Sequence, residues 1–77
     1  MAEEVMLSKD IKETFEGKVI ARLVSYNDKL GVDVRQFVET GKYTGWTKKG
    51  IRLDMEEVQS LMKFLEDACE MMESATA

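Results

Sequence analysis

An α+β domain, an antiparallel sheet followed by one C-terminal helix, is the fold class that this sequence predicts, and three observations predict it. Residues 18–39 hold two runs rich in β-branched and aromatic residues, with a turn-forming cluster between them. The second run, Val32 to Glu39, alternates with a clear period of two. From Asp54 onward, apolar residues recur three and four apart, as on one face of a helix. A chain of 77 residues is one domain at most, in a size range where a single core is only modestly stable. Sharing a core with a second copy relieves that limit.

Taken in order, residues 1–10 are expected to form a flexible arm and residues 11–73 the domain. Val5, Met6, Leu7, Ile11 and Phe15 fit one face of a short helix or part of a strand, and Gly17 ends either. Lys18 to Tyr26 reads as a strand, with Val19, Ala21, Leu23 and Ser25 on one side and Ile20, Arg22, Val24 and Tyr26 on the other. Asn27 to Gly31 supplies turn chemistry. In the next strand Val32, Val34, Gln36 and Val38 read as core. Asp33, Arg35, Phe37 and Glu39 face the other way, which offers an arginine and an exposed phenylalanine to solvent. Pairing of the two runs as a hairpin puts Arg22 and Tyr26 on the face of Arg35 and Phe37. Thr40 to Lys42 makes a second turn and Tyr43 to Thr47 a short strand. Lys48-Lys49-Gly50 interrupts it before Ile51 and Leu53 return to the core, with Arg52 on the opposite face.

Asp54 is a helix cap, with Glu57 three residues on as in a capping box and Glu56 where the helix dipole favours negative charge. Val58, Leu61, Met62, Leu65, Ala68, Cys69 and Met72 form one stripe, widened by Met55, Phe64 and Met71. That stripe is longer than a small sheet needs. It reads as core or as a dimer seam, for which Leu61, Phe64, Leu65, Ala68 and Met72 are the candidate interface residues. Cys69 reads as a packed thiol, and residues 74–77 as a frayed tail.

The net charge of −4 hides a segregation. Residues 1–17 carry two cations against five carboxylates, and residues 54–77 one against seven. The segment 18–53 carries eight cations against three carboxylates, a net +5. Charges are screened beyond about 10 Å at moderate salt, so this local basic field outweighs the acidic total. Within it, Lys42 to Leu53 gathers four cations, two aromatics and two glycines in twelve residues.

Catalysis finds little support. The chain has no histidine, so the commonest acid/base residue and metal ligand is missing, and Cys69 has no base of that kind to activate it. The glycines do not form a phosphate loop, and the carboxylates lack the spacing of a calcium loop. No cofactor and no metal are expected. No apolar run reaches the roughly 18–20 residues that span a bilayer, and the first residues do not read as a signal peptide, so a cytoplasmic or nucleoid-associated protein is expected, in the host cytoplasm if viral.

Nucleic acid fits better. Cations pair with phosphates and release counterions; aromatic rings stack on bases only where these are unpaired, so rings on a sheet favour single strands. The candidate binding residues are Arg22, Tyr26, Lys29, Arg35, Phe37, Trp46, Lys48, Lys49 and Arg52. Against each stands a plainer reading: Trp46 as core, Phe37 as cover for a sheet edge, the lysines as solubilising charge. Nothing selects against a 2′-hydroxyl, so RNA is a further candidate ligand.

The order Val32-Asp33-Val34-Arg35-Gln36-Phe37, then Lys48-Lys49-Gly50-Ile51-Arg52-Leu53, then a capped amphipathic helix, resembles the single-stranded-DNA-binding domain of the transcriptional positive cofactor four family, over about residues 18–68. The resemblance implies a curved four-stranded antiparallel sheet followed by one C-terminal helix, dimerisation through the helix, and binding of single-stranded DNA or melted duplex. It implies DNA contact by Arg35, Tyr26 and Lys29 and by the basic pair Lys48 and Lys49. Two positions depart from the pattern: Val38 stands where a stacking tryptophan is expected, and Val24 where a basic residue is. The serine- and lysine-rich arm of eukaryotic members is missing, so a bacterial or viral member, with replication, recombination or transcription proteins as partners, is expected alongside a eukaryotic-type coactivator.

Overall fold

The computed structural model describes residues 3–76. Its elements are β1 (Glu4–Glu13), β2 (Gly17–Tyr26), β3 (Lys29–Glu39), β4 (Thr44–Leu53) and α1 (Met55–Thr76). The strands form one antiparallel meander in the order β1-β2-β3-β4, so every connection within the sheet is a tight hairpin.

The first hairpin corrects the expected arm. Residues 4–10 pair with β2 instead, Leu7 opposite Leu23 and Ser8 opposite Arg22; residues 1 and 2 lie outside the described residues. Register shifts at Met6 and at Ile11 each insert one residue without a partner. Each insertion reverses the facing of the residues beyond it, which is why β1 shows no period of two. Thr14 closes the turn, donating its N–H to the Gly17 carbonyl at 2.8 Å and accepting the Gly17 N–H on Oγ1 at 3.1 Å.

Tyr26 pairs with Lys29, so the second turn is two residues long and β3 begins three residues earlier than its alternation suggests. Asn27 and Asp28 both adopt positive φ, 52° and 64°, as a type I′ turn requires. Glycine favours the second position of such a turn because an L side chain is strained there. Asp28→Gly is therefore expected to stabilise the domain by about 0.5–1 kcal/mol, read as a higher urea midpoint at unchanged slope.

Thr44–Leu53 is one strand with an irregularity, rather than a short strand and a separate return. Arg35 pairs with Gly50 and Phe37 with Trp46, which leaves Thr47, Lys48 and Lys49 opposite Gln36. Gly50 makes this possible, since a Cβ there would sit 2.5 Å from the Val34 carbonyl oxygen and 2.8 Å from the Arg35 Cα.

The burial pattern differs from expectation. Val32, Val34 and Gln36 are only half-buried and Ile51 is exposed, because α1 approaches this back face of the sheet with its first turn, at Met55 and Val58. The most buried side chains are Val24 and Asp33 on the front face, with Val38 behind. Asp54 and Glu57 do form the capping box, each side chain accepting the other's backbone N–H at 2.9 and 3.0 Å. Most of the apolar stripe is exposed in the single chain, Cys69 included, which is therefore not packed as expected. The helix runs through the start of the expected tail to Thr76. No helix among the described residues is long and apolar enough to cross a membrane.

Candidate nucleic-acid interface

Strand register decides which side chains meet. Tyr26 lies opposite Lys29, Arg22 opposite Asp33, and Asp33 in turn opposite Arg52; Phe37 lies opposite Trp46, with Arg35 two residues before it. Arg22, Tyr26, Lys29, Arg35, Phe37, Trp46 and Arg52 therefore share one face, as the hairpin reading of Arg22, Tyr26, Arg35 and Phe37 expected. Lys48 and Lys49 stand apart from that alternation, exposed in the bulge of an edge strand.

An ion pair spans the width of this face. In a flat sheet β1 and β4 would stand about 14 Å apart, three spacings of about 4.8 Å. Two long side chains bridge that width: Arg52 on β4 donates Nη2 to Oε2 of Glu3, the residue before β1.

At the centre lies a residue that sequence reasoning counted only as charge. Asp33 is 0 % exposed and holds two arginines. Its Oδ2 accepts Nη2 of Arg22 at 2.9 Å, and its Oδ1 accepts Nη2 of Arg35 at 2.9 Å, with the Arg35 Nε 3.2 Å from Oδ2. Arg52 Nε stands 3.8 Å from Oδ1, within ion-pair range but without a hydrogen bond. Burial by itself raises the Asp33 carboxyl pKa, but the hydrogen bonds and charges of Arg35 and Arg22 outweigh it and hold the group below its ordinary value. The same pairing raises Arg35. The signal was present in the sequence: Asp33 and Arg35 are two apart on one strand face, with Arg22 across the hairpin.

The arginines differ in what they have left to offer. The Arg22 side chain is 11 % exposed, its Nε is buried without a hydrogen-bond partner, and its guanidinium lies over the Trp46 ring, 4.2 Å from the centroid. Its guanidinium is thus engaged by Asp33 and by the Trp46 ring. Arg35 also donates Nη1 to the Thr47 carbonyl at 3.2 Å, tying the network to the bulge. Thr47 Oγ1 donates to the Gln36 carbonyl at 3.0 Å and accepts the Lys49 N–H at 3.1 Å, so the bulge backbone is fixed while both lysine side chains stay outside. Among the described residues, Lys29, Lys48 and Lys49 have no carboxylate within ion-pair distance.

Trp46 is neither core nor free. It is 36 % exposed, packed edge-on against Phe37 with ring centroids 5.0 Å apart and covered on one side by Arg22. Phe37 is half-buried rather than exposed. Tyr26 keeps 43 % of its surface, at the far end of the face.

A family model described as Transcriptional Coactivator p15 (PC4) matches residues 10–64, most of the chain. The chain belongs to this family. Neither a curated protein nor a solved structure matches it. The PC4 family is one of non-enzymatic, DNA-binding coactivator domains, and the matched span takes in β2, β3, β4 and the first turns of α1. The two departures from the family pattern now have a physical description. Val24, at 1 % exposure, and Val38, at 7 %, are the buried hydrophobic side chains among the described residues. At both positions this PC4 domain uses packing where a cation or a ring was expected. The ring beside Phe37 comes from β4 instead, as Trp46. No group of three or more carboxylate or cysteine side chains placed to hold a metal occurs among the described residues.

Proposed function

We propose that the chain binds single-stranded DNA, largely without sequence preference, as a homodimer serving transcription, replication or recombination. One observation carries this reading: aromatic rings and cations share a single face of the sheet, with lysines free of carboxylate partners among the described residues along its β4 bank. Arg35, Lys48, Lys49, Lys29 and Arg52 hold phosphates. Tyr26, Phe37 and the uncovered side of Trp46 stack on bases, which a duplex keeps inside. The dimer rests on the exposure of Leu61, Phe64 and Leu65 along α1, which a second copy would cover together with Ala68 and Met72.

That exposure also favours a second reading, a protein-interaction module using the acidic, Met-rich helix. Fluorescence anisotropy with a labelled oligonucleotide separates the two. Single strands are expected to bind more tightly than duplex of the same sequence, steeply weakened by salt, with sedimentation giving twice the chain mass. Equal or absent binding to both forms would leave the interaction module standing. An RNA strand of the same sequence measures whether the sugar matters.

A further inference from the structure

Three arginines converge on this face, and two carboxylates serve them. Asp33 is fully buried and committed to Arg22 and Arg35. Arg52 makes no hydrogen bond to it and gives its guanidinium to Glu3 instead. The Arg52 and Glu3 side chains are 44 % and 35 % exposed, so this pair, unlike the Asp33 network, can open into solvent without unpacking the sheet.

Below it lies a cavity of about 310 Å³, whose lining includes Val24, Tyr26, Lys29, Gly31, Arg52 and Leu53. Val24 supplies an apolar floor, and Gly31, opposite Val24, leaves the space above it free of a side chain. Tyr26 gives a half-exposed ring and Lys29 a cation without an acidic partner among the described residues. Asp54 and Glu57 close the rim at the start of α1, tied to each other's backbone N–H groups. They add negative charge to the same lining, so a phosphate there depends on Arg52 and Lys29, the two cations of that lining.

We propose that Glu3 occupies the position of one strand phosphate on Arg52 in the free protein, at the end of the face where Lys29 and Tyr26 are read as meeting the strand. A guanidinium accepts a carboxylate or a phosphate through the same fork of N–H donors, so one anion can replace the other without rearranging Arg52. Strand binding then exchanges Glu3 for a phosphate, and the acidic residue sets a threshold that a weakly held strand does not pass. The inference rests on the single-strand reading of the face.

Its test is a titration of the full chain with a labelled oligodeoxythymidylate at two salt concentrations, comparing wild type with Glu3→Gln, Arg52→Ala and the double variant. Glu3→Gln is expected to bind about two- to fivefold more tightly at low salt, the worth of an exposed ion pair. The gain shrinks at high salt and vanishes in the Arg52→Ala background. Unchanged affinity in Glu3→Gln overturns the proposal, and so does an equal gain without Arg52, which would show a general charge effect. A wild type that does not bind single strands overturns the underlying reading itself, a result distinct from either.

Discussion

Asp33→Ala is expected to lower the stability of the fold by about 3–5 kcal/mol, because it leaves Arg22 and Arg35 partly buried without their shared counter-charge. A domain of this size has about 4–12 kcal/mol in all, so the variant should lose a large share of its reserve, measurable as a much lower urea midpoint. A change confined to DNA affinity, with the urea midpoint intact, would contradict the central place given to this carboxylate. The pH dependence carries the same signature. The Asp33 pKa is lowered by folding, so its contribution is fully present above the unfolded value of about 3.9 and is lost as the pH falls through the lower folded value. The urea midpoint of wild type should therefore drop on acidification below about pH 4 more steeply than that of Asp33→Asn.

Replacing Lys48 and Lys49 together with alanine should leave the fold in place and weaken single-strand binding about tenfold at low salt, for all sequences alike. Each lysine that neutralises a phosphate of a single strand contributes about 0.7 to the salt slope, so the double variant should flatten it by about 1.4. The expectation that folding survives has a structural ground: Thr47 and Gly50 fix the bulge through backbone contacts, and the one bond to Lys49 comes from its main-chain N–H. Unaltered affinity and slope would remove the β4 bank from the binding surface.

What could be read from the residues was set by how regular each element is. β2 and β3 keep an unbroken period of two, so their faces, and the company of Arg22, Tyr26, Arg35 and Phe37, were legible in the sequence alone. The capped helix was legible too, because Asp54 and Glu57 act within one turn. β1 was not, since Met6 and Ile11 each break the alternation that identifies a strand. The role of Asp33 was hidden for another reason: counting charges by segment treats an acid among cations as a subtraction, while the register makes it the group around which the arginines are ordered. The burial of Val24 follows from its place on the front face between the long side chains of Arg22 and Tyr26, which an alternation pattern alone does not show.

The irregular places in β1 and β4 have a bearing on solubility. An open sheet ends in two strands whose outer N–H and C=O groups can template another chain, and proteins blunt such edges with bulges and lysines. β1 has two register shifts with Lys9 and Lys12 beside the second, and β4 has its three-residue excursion carrying Lys48 and Lys49. The cations proposed to meet DNA thus also guard an edge against self-association into fibrous or amorphous aggregates. At high concentration, a variant stripped of them is the one to watch for slow precipitation.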